Sequence, residues 1–352
     1  METKVLPADQ RSLEEAAALL RTGQLVAFPT ETVYGLGANA LDRKAVLSIF
    51  EAKGRPSDNP LIVHIHDRAQ LDSICETNTT AETLMDAFWP GPLTLILPKR
   101  PQIPTQVTAG LDTVAVRMPS HPVALAMLEA CNLPVAAPSA NRSGKPSPTT
   151  AEHVRVDMDG RIPMILDGGS CDVGLESTVL DVSREVPCIL RPGGVTKDMI
   201  ETALGMEITV AGSVLRPLEK GETALSPGMM YKHYSPDGQV TLVEGDESDV
   251  LPALRALCDH AIEQGHRTCV MCFSEHMDAL SVYHPHDIGR RDHPEEVAHR
   301  LFDTLRLLDE EQMEVIFSEV VPPEGVGLAV MNRLGRAAAF RTVQANDVIK
   351  KA

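Results

Sequence analysis

Three short stretches place hydroxyls, a carboxylate, cations and a carboxamide at intervals suited to gripping a nucleotide. They are Thr30-Glu31-Thr32 within a run from Phe28 to Gly37, then Lys53-Gly54-Arg55-Pro56, and much later Ser139-Ala140-Asn141. The cationic pair stands out because the chain carries 49 Asp and Glu against 32 Lys and Arg, a net charge of -17. A polyphosphate is therefore held only where cations are concentrated. At an effective dielectric of about 20, one ion pair at about 4 Å carries about 4 kcal/mol of Coulomb attraction before desolvation. No G-x-x-x-x-G-K-[ST] occurs, so any ATP site needs a geometry other than the Walker cradle. Arg117 ends the otherwise apolar run 113–116, and Arg191 ends 188–190 ahead of Pro192-Gly193-Gly194. A guanidinium beside a core calls for an anion, which internal carboxylates or anionic ligand groups can both supply. Ser139 and Asn141 after one strand, and Glu176, Ser177 and Thr178 before another, read equally as phosphate or metal-water ligands and as ordinary loop residues.

The elements that must position these groups alternate. Ser12-Leu13-Glu14-Glu15 reads as a capping box opening a helix that Gly23 ends, and 25–28 reads as a buried strand. Tyr34 to Gly37 then reads as a glycine-rich turn. A helix over 44–52, a strand over 61–65 and a second capping box at Thr79-Thr80-Ala81-Glu82 follow. Further strands are expected over 93–97, 113–117, 134–137, 164–166, 177–182 and 188–191, and a helix over 197–204, which together imply a large mixed sheet with helices on it. Proline and glycine then break the pattern across 216–238, although Tyr231, Lys232, His233 and Tyr234 are not the residues of a bland tether. Strands over 239–243, 268–273 and 315–321 alternate with helices over 249–264, 294–308 and 328–339, the pattern of a doubly wound parallel sheet. The expected domains are 1–212, an ordered linker over 213–238, and 239–352, the last a regulatory or interaction domain with 20 acidic and 11 basic residues.

Composition excludes several classes. The acidic balance, and only 7 Phe, 4 Tyr and 1 Trp for stacking, count against the main rival, a non-enzymatic RNA-binding module. The longest apolar runs, such as 93–97, fall far short of the about 20 residues that span a bilayer, so no membrane segment is expected. The first residues lack a secretory pattern and seven scattered cysteines fit a reducing compartment, which points to the cytoplasm. Cys269 and Cys272 match C-x-x-C but fall in a buried strand with no second pair, so they read as structural. The histidines from His276 to His299 lack ligand spacing and read as solvated loop residues.

The segments PTETVYGLG, FEAKGRPSDNPLIVHI, WPGPLTLIL, VAVRMPSH, APSANRSGKPSPT, GLESTV and ILRPGG, in this order over roughly 10–205, resemble the YrdC-like family of L-threonylcarbamoyladenylate synthases. SPGMMYKHYSP and the region after it resemble the longer, two-domain form. The resemblance implies an open twisted mixed α/β sheet followed by a smaller Rossmann-like parallel α/β domain. It implies a cytoplasmic nucleotidyltransferase that uses ATP, with its Mg2+, L-threonine and bicarbonate to make threonylcarbamoyl-AMP and pyrophosphate for tRNA modification. Downstream threonylcarbamoyl-transfer proteins would then act, with no direct tRNA binding required here. By motif position, Lys53, Ser57, Thr113, Ser139, Asn141, Ser147, Arg191 and Tyr234 would bind ATP, and Lys53, Arg55, Ser139 and Asn141 would be catalytic. Thr30, His64, Arg117, Ala137 and Ser177 would surround L-threonine, and Tyr231, His233 and Tyr234 would form a linker lid. No metal ligand is implied directly from the protein. A relative acting on carbamoyl phosphate would carry acylphosphatase-like and zinc-finger segments, which this chain lacks.

Overall fold

The computed structural model describes residues 2–216 and 234–351. Among these, one compact unit holds 2–143 and 147–214, and a second holds 144–146, 215–216 and 234–351. Tyr231 and His233 lie outside the described residues.

The first unit is built on an eleven-stranded mixed sheet. Its strands in chain order are β1 (Lys4–Pro7), β2 (Val26–Phe28), β3 (Gly35–Asn39), β4 (Ile62–His64), β5 (Leu93–Pro98), β6 (Thr113–Arg117), β7 (Val135–Ala136), β8 (Met164–Asp167), β9 (Thr178–Asp181), β10 (Cys188–Arg191) and β11 (Thr209–Val210). Across the sheet they run β1-β8-β2-β3-β7-β4-β6-β5-β9-β10-β11. One face is covered along its length by helices Arg43–Lys53, Thr79–Phe88, Ala151–Met158 and Lys197–Leu204, whose residues Ile49, Leu84, Val154 and Ile200 join the main core. On the other face, helices Gln10–Arg21 and Pro122–Cys131 pack over Val26, Phe28, Val135, Met164 and Leu166, which covers only one end of the sheet. Beyond that end, Ile62, Ile96, Ala115, Val179, Cys188 and Leu190 form a cluster made of strand residues alone. The sheet face that no helix of this cluster covers is where the site is built.

Two readings of local sequence need correction. The Gln10–Arg21 helix begins earlier than the Ser12 box implies: Asp9 is the cap and accepts the Ser12 amide at 2.8 Å. In the same way Asn78, not Thr79, caps the Thr79–Phe88 helix by accepting the Ala81 amide. Both boxes had a better N-cap just upstream, and the side chain nearest the free amides wins. Tyr34 to Gly37 is likewise no turn, since Gly35 to Asn39 is β3, antiparallel to β2. Glycine is required there for packing: a Cβ on Gly37 would stand 2.9 Å from both Phe28 and Val135.

The second unit carries five strands, β12 (Gln239–Glu244), β13 (Thr268–Cys272), β14 (Pro285–Asp287), β15 (Val315–Ser318) and β16 (Thr342–Gln344), all parallel in the order β14-β13-β15-β12-β16. The short edge strands β14 and β16 are apolar only in part, which explains why periodicity alone does not find them. Cys269 and Cys272 are buried in β13 three residues apart, hence on opposite faces, and burial pushes both thiols up to about 12. The pair therefore cannot close on one metal ion. His276 is no solvated loop residue: its Nδ1 lies 2.9 Å from the buried Glu319 carboxylate.

The loop after β10 lies against the entry to β9. A Cβ on Gly193 would meet the Thr178 amide nitrogen at 2.3 Å and the Glu176 carbonyl oxygen at 2.7 Å. Gly193→Ala is expected to cost about 1–3 kcal/mol of stability, read as a lowered urea midpoint, because backbone on both sides must move. An unchanged midpoint would contradict this packing.

Candidate active site

Strand pleat places the sequence-selected residues on one side of the sheet. In β6 the alternation puts Thr113, Ala115 and Arg117 on the same face, and the parallel register pairs His64 of β4 with Arg117 and Ile62 with Ala115. Antiparallel pairing across β5 adds Thr94 and Ile96 to that face, and Ser177 precedes β9 beside Thr94, their hydroxyls 2.8 Å apart. Arg191 reaches the same face through an irregularity. Ile189 pairs with Leu180, yet Arg191, not Leu190, pairs with Val179, so one extra residue stands in β10. This β-bulge turns the guanidinium toward Ser177, where Nε donates to the carbonyl oxygen at 3.0 Å and Nη2 to Oγ at 3.1 Å.

Arg117 is the electrostatic centre. Its Nη2 lies 2.6 Å from Glu31 Oε1, Nη1 donates to Thr32 Oγ1 at 2.9 Å and Nε to the Gly91 carbonyl at 3.2 Å. Both charged side chains are buried. Thr30 fixes the loop that carries Glu31, donating from Oγ1 to the Val33 carbonyl at 2.6 Å, with its oxygen 2.8 Å from Thr32 Oγ1. Burial works to raise the Glu31 carboxyl, but the Arg117 charge and hydrogen bond outweigh it and hold the group below its ordinary range. His64 is also shifted down, here with burial as the main cause. Burial, reinforced by the Arg117 charge, lowers it to about 3, so the imidazole is neutral at physiological pH. Its Nδ1 lies 3.2 Å from the Ile62 carbonyl, which can only accept, so Nδ1 carries the proton and Nε2 is left as an acceptor.

A second cluster surrounds the turn after β7. Lys53, last residue of its helix, is buried, and its ammonium donates to the carbonyls of Ser139 at 2.5 Å and Asn141 at 2.6 Å and to Asn141 Oδ1 at 3.3 Å. Gly54, at φ 62°, then turns the chain away so that the lysine points inward. Ser139 Oγ donates to Asn141 Oδ1 at 2.5 Å, and the turn is tied to the Thr30 loop by a Gly35–Ser139 bridge. Ser147 Oγ donates to buried Glu176 at 2.5 Å. Ala137 continues β7 with its amide on the Ile62 carbonyl. Arg55 is partly buried against the Phe50 ring, and Ser57 is exposed. Tyr234 lies in the second unit, buried, with its ring 5.2 Å from that of Phe302 and Arg333 over it at 6.0 Å. The sequence reading did not single out Glu31 as the partner of Arg117, Glu176 as that of Ser147, or Thr94 as that of Ser177. A carboxylate near an arginine in sequence would have been a signal, but these pairs form across 29 to 86 residues.

The buried groups make stability acid-sensitive. An unfolded histidine gains its proton near pH 6.5 while folded His64 does not until about 3, so the unfolded state binds more protons in between and stability falls as pH falls. Depressed Glu31 acts in the same direction, its contribution being lost as pH drops toward its folded value. Urea unfolding should show the loss between pH 7 and pH 5 reduced by about 2 kcal/mol in His64→Leu relative to the parent chain. Parallel pH curves would refute a neutral, buried His64.

Comparison with known proteins places this arrangement. Residues 18–193 match a family model described as telomere recombination, covering Sua5, YciO and YrdC, and residues 195–339 match the threonylcarbamoyl-AMP synthase C-terminal domain. The chain is 48% identical to the threonylcarbamoyl-AMP synthase of Bacillus subtilis over 97% of both chains. It is 48% identical to that of Pyrococcus abyssi over 94% of both. A crystal structure of Pyrococcus abyssi Sua5 complexed with L-threonine superposes with a TM-score of 0.90 at 45% identity, covering 97% of this chain and 98% of that one. With both its sheets, its site-bearing strands and its second unit accounted for along nearly the whole length, the chain belongs to the threonylcarbamoyl-AMP synthase family of enzymes.

Proposed function

We propose that this site joins L-threonine, bicarbonate and Mg-ATP into L-threonylcarbamoyl-AMP and pyrophosphate, for the threonylcarbamoyladenosine modification of tRNA. The observation that carries the reading is the sheet face on which neutral His64, the Arg117–Glu31 pair, Ser177 and bulge-directed Arg191 converge. The relatives' names and the L-threonine in the Pyrococcus abyssi Sua5 structure support it. Arg117 would take the amino-acid carboxylate, and His64 Nε2 would accept the threonine hydroxyl proton, with Thr30, Ala137 and Ser177 completing the pocket. Arg191, Thr113, Ser147, Ser139 and Asn141 would hold ATP, with Ser57 and Arg55 at its margin. Lys53 would fix the turn presenting Ser139 and Asn141, and a phosphate oxygen would displace its 3.3 Å contact to Asn141 Oδ1.

In the reaction, the free amine of threonine takes up bicarbonate to give a carbamate and water. A carbamate oxygen then forms a bond to the α-phosphorus as the bond to the bridging oxygen of pyrophosphate breaks. Magnesium bound to the triphosphate would offset its charge. Such displacement depends on positioning and charge neutralisation and needs no protein nucleophile. The product would pass to separate transfer proteins.

Purified full chain given ATP, magnesium, threonine and labelled bicarbonate should form labelled threonylcarbamoyl-AMP and pyrophosphate without RNA. No adenylate under these conditions would overturn the reading. Lys53→Ala should lower threonine-dependent pyrophosphate release at least about 100-fold, since it unties the Ser139–Asn141 turn as well as removing a phosphate partner. If His64 reads the hydroxyl, valine should be used at least about 100-fold less well than threonine in kcat/KM, and His64→Leu should shrink that ratio. Equal use of both amino acids by the parent chain would dismiss His64 as the selector.

A further inference from the structure

The second unit contains a cavity of about 580 Å3 at the place where its crossover helices switch from one face of the sheet to the other. Strands β12 and β15 are neighbours and parallel. Helix Glu247–Glu263, which follows β12, shares a core with Val243, Val270 and Phe317. Helix Val326–Ala337, which follows β15, contributes Met331 and Gly335 to the cavity together with Leu242 and Glu244. These strand residues alternate with Val243, so the two helices cover opposite faces. Doubly wound sheets bind ligands at such switch points, outside the carboxyl ends of the strands.

We propose that this cavity binds a nucleoside monophosphate. Its volume suits a ligand of that size. Phe340, Met331 and Pro322 supply an apolar slot for a base. The Phe340 ring is backed by Arg336 at 5.9 Å. Ala339 and Phe340 take left-handed backbone, at φ 50° and 58°, which ends the Val326–Ala337 helix and sets Phe340 on the cavity wall. Glu244, at the end of β12, accepts one hydrogen bond from Gln344 at 3.1 Å, and an ionised carboxylate can take further donors such as ribose hydroxyls. Arg216 and Arg291 line the same cavity and suit a phosphate. Arg291 is oriented over the Phe273 ring at 6.0 Å and paired at 2.9 Å with the exposed Glu247, a surface partner that a phosphate dianion can outbid.

The test is photolabelling of the full chain with 8-azido-AMP, followed by peptide mapping. Label on the peptides carrying Met331 or Phe340, displaced by AMP and about tenfold less well by adenosine, supports the proposal. Label found only within 2–214 overturns it, and that result would leave the ATP site of the first unit standing. Gly335→Leu, which fills the cavity beside Phe340, should abolish label in the second unit. Arg291→Ala, a surface change that spares the fold, should weaken half-saturation about tenfold. Second-unit label unaffected by both substitutions, or adenosine competing as well as AMP, would also refute the assignment.

Discussion

The structure of the first unit turns on a buried charge. Arg117 ends a strand that is otherwise part of the core, and a guanidinium there is tolerable only with an anion beside it. Glu31 supplies that anion, and holding it in place accounts for the Thr30 and Thr32 hydroxyl contacts, the Gly91 carbonyl contact and the course of the loop from β2 to β3. The pair is a poor source of net stability, since hydrophobic residues of similar volume would serve as well or better. Its value lies in presenting a fixed cation on the sheet face that also carries Arg191. Burial keeps His64 neutral, and the Arg117 charge adds to that effect while Glu31 opposes it.

Among the described residues, the first unit leaves half of one sheet face without helices of its own, which is the architectural counterpart. Strand side chains project there with little freedom, because each is fixed by pleat and register, and groups 53 to 85 residues apart in sequence become neighbours. Loops contribute what strands cannot: the Lys53-bound turn brings carbonyls, a hydroxyl and a carboxamide to one place. Rigidity of this kind suits a reaction that depends on alignment.

Much of this was legible in the sequence because the relevant patterns are local. The long amphipathic helices and the apolar strands over 61–65, 93–97 and 113–117 announce themselves by period, and charges at strand ends flag Arg117 and Arg191 as unusual. The resemblance added the roles, since spacing alone leaves Ser139 and Asn141 indistinguishable from loop residues. What escaped was non-local or very short. Helix starts were misplaced by competing caps, β3 was hidden by its two glycines, and β1, β14 and β16 carry too few residues to show a period. The partners Glu31, Glu176 and Thr94 could be found only once the sheet order brought them together.

The extra residue in β10 shows how parity can encode chemistry. Because side chains alternate, shortening that strand by Leu190 alone would keep its pairing with β9 intact while removing the irregularity from the chain. Pairing Leu190 with Val179 in a regular ladder would instead turn the guanidinium to the opposite face, away from Ser177. Insertions and deletions in this short strand are therefore under a stricter arithmetic than those in the surrounding loops, and the count of residues matters there as much as their identity.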